Sequence, residues 1–192
     1  VFQADHGAYL GENGVVYSKH TFAPFVHRVP LIISGPSMLP QAKVCDEVCD
    51  SLDVTRTMLA LGNLTVPDQF HGRNLFSDPE PEAIYSTIGF GYPSSCRAPN
   101  GGIGRWTGDR GWPRRSCIRT NRYRLDKNML IDGRKPDPED QDVFLADVTA
   151  DPLEFVNLAG DPQYADVLRD LSDRLDRHAD GSVEVPPECV VK

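Results

Sequence analysis

Long hydrophobic runs are missing from this sequence. No apolar stretch approaches the roughly 20 residues that a bilayer span requires, so no membrane-spanning helix is expected. A basic excess is missing too: 20 Lys+Arg stand against 28 Asp+Glu, for a net charge of -8. Nonspecific nucleic-acid binding draws on surplus Lys and Arg, so that class is set aside. The five cysteines contain no C-x-x-C pair, which removes the usual zinc and dithiol signatures. There is no low-complexity tract and no internal repeat. The chain opens on Val1-Phe2-Gln3-Ala4, neither an initiator methionine nor a charged signal-peptide head, and runs at once into Asp5-His6-Gly7. It reads as a fragment that begins inside a structural element.

What is present is ordinary for a globular protein. The 192 residues are 40% hydrophobic and 25% charged, enough for one good core or two small ones. The charge is unevenly spread. Arg105, Arg110, Arg114, Arg115, Arg119, Arg122, Arg124 and Lys127 crowd one stretch, against Asp109 and Asp126. Two readings are open: a basic surface facing a small anionic substrate, or a solvated hairpin with arginine on its outer face. Cys45 and Cys49 are spaced as helix neighbours, and Cys96 and Cys117 bracket a Gly-rich loop that a disulfide would close. Free buried thiols fit equally well, so the redox compartment stays open. Asn63-Leu64-Thr65 fits the N-glycosylation pattern, a match that is common by chance.

The order of elements points to an α/β domain followed by a smaller α+β subdomain. Val29-Pro30-Leu31-Ile32-Ile33-Ser34, ended by Gly35-Pro36, suits a buried strand of a parallel sheet. Val44, Val48, Leu52, Thr55 and Leu59 recur at helical spacing up to a stop at Gly62. From about Phe76 the character changes, and Ser77-Asp78-Pro79-Glu80-Pro81-Glu82 reads as a linker. Residues 1–76 are therefore assigned to the α/β domain and 77–192 to the subdomain. In the latter, Ala83–Ile88, Ser116–Asp126, Asn128–Ile131 and Val143–Asp147 are predicted as short strands, with a turn from Asp132-Gly133 to Asp142. Asp161-Pro162 supplies an N-cap and an N1 proline for a last helix. Its buried stripe is Val167, Leu168, Leu171 and Leu175, and Gly181 follows it.

The chemistry is expected first at Asp5-His6, which follows an apolar strand. In open α/β sheets ligands collect at the carboxyl ends of strands. A carboxylate there suits a hard cation, and the adjacent imidazole suits a metal or an anion. A plain Asp-His-Gly turn is the alternative. The longer pattern is more specific. Asp5-His6-Gly7-Ala8-Tyr9-Leu10-Gly11-Glu12-Asn13-Gly14, then Lys19-His20-Thr21, then Arg28-Val29-Pro30-Leu31-Ile32 resembles the sulfatase family. Ser51-Leu52-Asp53-Val54-Thr55-Arg56-Thr57-Met58-Leu59 is similar to that family's S-x-D-x-x-P-T helix, and His71-Gly72-Arg73-Asn74-Leu75 to its D-G-x-S-L loop. Ile118 to Leu125 resembles its R-T-x-x-Y-K strand. Phe144-Leu145-Ala146-Asp147, Asp151-Pro152-Leu153-Glu154 and Asn157-Leu158 resemble its L-Y-D-L…D-P-x-E-x-x-N-L ending.

The resemblance implies the C-terminal part of an alkaline-phosphatase-like α/β domain, then a small subdomain of antiparallel sheet and helix. It implies hydrolysis of a sulfate monoester with a formylglycine nucleophile and one Ca2+. Asp5 and His6 would stand at the metal, and Lys19 would contact a sulfate oxygen as a point charge. The partner would be a sulfated small molecule or carbohydrate, and the compartment periplasmic, secreted or lysosome-like. Arg105 and Trp106, with Trp112 nearby, are candidates for a sugar-sulfate pocket wall, or for pinning their loop to the core. His20 and His27 are left open between a structural or exposed place and a functional one, Arg28 is read as an ion pair that fixes its loop, and Asp53 as a residue that caps or orients a helix.

Departures from the family pattern are plain. Ala23-Pro24 replaces Tyr-Glu, one residue is inserted between Gly14 and Lys19, and Arg56 replaces proline. The C-x-[PA]-x-R formylglycine motif and the paired N-terminal aspartates are not in this sequence. Cys96-Arg97-Ala98-Pro99-Asn100 imitates the motif but carries Asn where Arg is needed. The chain alone is therefore expected to be inactive, with the nucleophile on a preceding part of the same protein. A phosphoester or phosphonate monoester hydrolase of the same fold, and a noncatalytic anion-binding chain, are the alternatives.

Overall fold

The computed structural model describes residues 1–14, 21–35, 44–89, 114–131 and 134–180. They belong to two compact units, one of Val1–Lys19 with Phe25–Ile84 and one of His20–Pro24 with Tyr85–Lys192.

The first unit holds β1 (Phe2–Gln3), α1 (Pro24–His27, all but its first residue), β2 (Leu31–Ile32) and α2 (Ser51–Leu61). β1 and β2 pair antiparallel, with Phe2 opposite Ile32 and Gln3 opposite Leu31. The buried parallel strand expected at Val29–Ser34 is thus a two-residue antiparallel one, and Phe2 and Ile32 are 63% and 59% exposed. An apolar strand is buried only where other layers cover it. β2 has β1 alone as a strand neighbour among the described residues.

α2 starts later than the apolar spacing predicts. Asp50 Oδ1 accepts from the backbone of Leu52 at 2.8 Å and of Asp53 at 3.2 Å, and Asp53 Oδ2 accepts from Asp50 N at 3.1 Å. This reciprocal capping box satisfies N–H groups that a helix start otherwise leaves orphaned, and it fixes the first turn at Ser51. The expected stripe through Val44, Val48 and Leu52 is therefore corrected: Val44 and Leu52 are exposed, and the buried side is Asp53, Val54 and Thr57. The end lies where expected, with Gly62 N donating to Met58 O at 3.0 Å.

The second unit holds a four-stranded sheet in sequence order, β3 (Ile84–Ile88, all but its first residue), β4 (Arg114–Arg119), β5 (Tyr123–Leu130) and β6 (Val143–Asp147), with α3 (Ala165–Asp180) against β4 and β5. The single strand predicted over Ser116–Asp126 is two strands of an antiparallel hairpin, and Asn128 belongs to the second. Thr120 makes the break. Its Oγ1 accepts from Tyr123 N at 2.9 Å and Arg122 N at 3.3 Å, while Thr120 N donates to Tyr123 O. Hydroxyl turn chemistry of this kind overrides a run of strand-forming residues. Further on, Ile131 and Arg134 exchange backbone bonds around the predicted Asp132-Gly133 turn, whose own residues lie outside the described ones.

Alternation divides the sheet faces. Ile118 and Leu125 are fully buried partners, and Lys127 on that same face of β5 reaches α3, donating to Ser172 Oγ at 2.6 Å and Asp176 Oδ2 at 2.9 Å. From α3 come Leu171, Leu175 and Ala179, while Val167 and Leu168 are half-buried. Asp161 caps a short 3-10 turn (Pro162–Tyr164) that leads into α3, its Oδ1 accepting from Gln163 N at 2.9 Å. The opposite face carries Arg115, Cys117 and Arg119 on β4 against Asn128, Asp126 and Arg124 on β5.

Cys117 is a buried thiol, free among the described residues, as one of the two readings has it; the bridge to Cys96 involves a residue outside the described ones. Burial pushes the Cys117 thiol up to about 12, so almost none is thiolate at pH 8, and the thiolate is the reactive form. In the native protein, iodoacetamide at pH 8 is expected to label exposed Cys45 rapidly and Cys117 only on unfolding, as read by peptide mass spectrometry. Fast native labelling of Cys117 would contradict its burial.

Candidate functional site

The first unit builds a small polar end to β1. Asp5 Oδ1 accepts from His6 N at 2.9 Å, and Asp5 Oδ2 lies 3.5 Å from His6 Nε2. His6 Nδ1 is 2.8 Å from Gly7 O. A carbonyl only accepts, so in the neutral ring the proton sits on Nδ1 and the Nε2 lone pair is turned to the Asp5 side. The Asp5 side chain is 86% exposed and the His6 side chain 42%.

The position of this pair is set by Gly7 and Tyr9. Gly7 N donates to Val26 O at 2.7 Å, and a Cβ at Gly7 would lie 2.0 Å from Phe25 O, so only glycine lets the segment approach α1. Tyr9 is buried, its ring centroid 5.5 Å from that of Phe25. The D-H-G sequence is thus an anchored strand end, with two donors presented together.

As a cation site it is incomplete. A carboxylate oxygen and an oriented imidazole nitrogen suit a divalent cation, but among the described residues no group of three or more His, Cys, Asp or Glu could hold a metal. Lys19, Arg105, Trp106 and Trp112 lie outside the described residues, as does His20. His27 and Arg28 are exposed.

The second feature of this unit was only partly visible in the sequence. Asp53 closes the cap of α2 and also accepts from Arg73 N at 2.8 Å. The Arg73 guanidinium donates to Glu47 at 3.0 Å and to the carbonyls of Asp78 at 3.1 Å and Val48 at 3.3 Å. Thr57 Oγ1 accepts from Leu75 N at 3.0 Å. The two motifs at 51–59 and 71–75 are therefore one hydrogen-bonded assembly. Asp53 is structural, as its place in a helix start suggests.

Of the six described cations of the basic stretch, Arg114 is buried and the other five pair with acids of their own unit. Arg115 pairs with Asp126 and Asp142, Arg119 with Glu154, Arg122 with Asp147, Arg124 with both Asp126 and Glu154, and Lys127 with Asp176. The hairpin reading holds in topology, but Arg115, Arg119 and Arg124 are not solvated: their side chains are 17%, 28% and 6% exposed. Burial alone pushes the Asp147 carboxyl up, yet the Arg122 guanidinium and the amides of Ala150 and Thr149 outweigh it and hold it below the usual range. Local sequence reading missed Glu154 and Asp142 as partners because they come from beyond the hairpin.

No family model matches the chain. Curated sulfatases align along most of it. The ulvan-active sulfatase of Formosa agariphila is 28% identical over 183 residues, covering 92% of this chain and 32% of that protein. YidJ of Escherichia coli, described as an uncharacterised sulfatase, is 23% identical over 91% of this chain and 31% of its own length. Among solved structures, a 2-O GAG sulfatase superposes with TM-score 0.68 at 22% identity, covering 97% of this chain and 39% of its own. The phosphonate monoester hydrolase of Agrobacterium radiobacter gives 0.64 at 20%, covering 99% of this chain and 38% of its own.

These likenesses define the class of fold, the alkaline-phosphatase-like α/β type with an antiparallel sheet and C-terminal helix. Sulfatase homologues cover most of this chain, consistent with a C-terminal sulfatase portion. The chain spans about a third of the length of the two curated relatives described.

Proposed function

We propose that this chain is the C-terminal portion of a sulfatase that hydrolyses a sulfate monoester. The observation that carries the proposal is the Asp5–His6 pair, held at a strand end in a chain that aligns with sulfatases over 92% of its length. In this reading residues 1–76 border the catalytic centre and 77–192 form the C-terminal subdomain. Asp5 and His6 supply two ligands to a Ca2+ whose other ligands lie on the preceding part of the protein. When bound, that cation withdraws charge from the ester's sulfate oxygens. The Gly7 carbonyl fixes the His6 tautomer, and Lys19 neutralises a second sulfate oxygen. Arg105 and Trp106 are assigned to the pocket wall.

The nucleophile, a formylglycine, belongs to the preceding part, so the 192-residue chain alone is inactive. The exposed Phe2 and Ile32, paired across β1 and β2, are the apolar surface that this part would cover. A sulfated carbohydrate is the substrate class. One solved structure of similar fold, TM-score 0.64 over 94% of this chain and 34% of its own at 20% identity, holds D-glucosamine-2-N,6-O-disulfate as its substrate. An exported compartment, periplasmic, secreted or lysosome-like, suits such a substrate. The likeness to the phosphonate monoester hydrolase favours phosphonate or phosphate ester hydrolysis as the second reading.

The test uses the full-length protein. Peptide mapping upstream of Val1 is expected to find C-x-[PA]-x-R with its cysteine as formylglycine. Asp5→Asn is expected to lower aryl sulfate turnover about 100-fold, since loss of a ligand or its support costs that order in metal sites, and to weaken Ca2+ binding by calorimetry. A Thr or Ser nucleophile would move the assignment to phosphoester chemistry. Unchanged calcium affinity in Asp5→Asn would remove Asp5 from the site.

A further inference from the structure

Asn63-Leu64-Thr65 is the one Asn-x-Ser/Thr triplet among the seven asparagines of the chain, and the structure gives it a setting that the triplet alone does not. It follows the last turn of α2. Gly62 N donates to Met58 O at 3.0 Å, Asn63 N to Ala60 O at 3.0 Å and Leu64 N to Leu59 O at 2.9 Å. These bonds consume carbonyls at the helix end and leave the triplet leading away from it. Asn63 has φ 52°, the left-handed region, where Asn is among the most tolerated non-glycine residues. All three residues are exposed, Leu64 by 60%.

Neither the Asn63 carboxamide nor the Thr65 hydroxyl bonds a described residue, whereas Asn74 and Asn157 spend theirs on nearby backbone amides. Met58, also on the last turns of α2, is a further exposed apolar side chain at 52%. A polar, bulky substituent at Asn63 would therefore displace no packing and would lie beside apolar surface that water wets poorly.

We propose that Asn63 is an acceptor for an N-linked oligosaccharide when the chain passes an oligosaccharyltransferase. The co-reactant is a lipid-pyrophosphate-linked oligosaccharide. The carboxamide nitrogen forms a bond to sugar C1, the bond from C1 to the pyrophosphate oxygen breaks, the lipid pyrophosphate leaves with that electron pair, and the nitrogen gives up one proton. No oxidation occurs. This proposal stands apart from the sulfatase reading, since it needs only the fold of the first unit and its exposure to the transferase.

The experiment is secretion of the full-length protein from a eukaryotic host, followed by peptide-N-glycosidase treatment in heavy-oxygen water. The Asn63 peptide is expected as Asp with heavy oxygen. Thr65→Ala should reduce that signal to background while Thr65→Ser restores it, with melting temperature measured after deglycosylation unchanged in both. Should Thr65→Ala fail to be secreted, Asn63→Asp removes the acceptor with little change of shape. Recovery of the Asn63 peptide unmodified from secreted wild-type protein would overturn the proposal.

Discussion

Glu154→Ala is expected to destabilise the second unit by about 3–5 kcal/mol, the range found when one partner of a buried ion pair is removed. The Glu154 side chain is fully buried, its Oε1 accepting from Arg119 at 2.7 Å and its Oε2 from Arg124. Arg119, at 28% exposed, can turn toward water when the carboxylate goes. Arg124 cannot: it is 6% exposed and would share Asp126 with Arg115 as its remaining acid. Glu154 also has φ 55°, left-handed for a residue with a Cβ, which costs about 1–2 kcal/mol. Glu154→Gly should therefore be less harmful than Glu154→Ala by about 1 kcal/mol, although it removes the same carboxylate. Hydrogen exchange at the Ile118 and Leu125 amides of the full-length protein measures both. A loss under about 1 kcal/mol in Glu154→Ala would reduce these contacts to the worth of surface pairs.

Gly72→Ala is expected to be strongly disruptive to the first unit. A Cβ there would lie 2.3 Å from both the carbonyl carbon and oxygen of Leu52, and 2.6 Å from Asp53 N. These are backbone atoms in the first turn of α2, so no side chain can swing aside. Relief requires the loop to retreat, which breaks Arg73 N to Asp53 and Leu75 N to Thr57 together. The cost should exceed the roughly 1–3 kcal/mol typical of an overpacked side chain. Gly62→Ala is the control. Its nearest new contact is 3.4 Å and its φ is -77°, so a change within about 0.5 kcal/mol is expected. Limited proteolysis between residues 62 and 76 discriminates the two, and equal cleavage would mean that the loop does not depend on its approach to α2.

What was legible in the sequence was whatever local chemistry decides. Gly62 stops a helix, and Asp161-Pro162 starts the turn into α3, for reasons contained in a few residues. Where two local signals competed, the apolar one was read and the polar one won. Asp50 overrode the spacing of Val44 and Val48, and Thr120 cut a run of strand formers in two. The pairing of Asp5 with His6 was legible because they are adjacent. The partners of Arg119 and Arg124 were not, since Glu154 arrives from a later turn, where its left-handed backbone aims it at the hairpin.

The chain of charges on the face of β4 and β5 away from α3 runs Asp142, Arg115, Asp126, Arg124, Glu154, Arg119, acid and base in strict alternation. Three positive and three negative groups make a closed tally, so any one exchange that alters charge strands a neighbour. Such positions tolerate change in couples. Chimeras between this chain and a relative should inherit 114 to 158 from one parent, because a crossover in the connection after β5 would pair one parent's arginines with the other parent's acids.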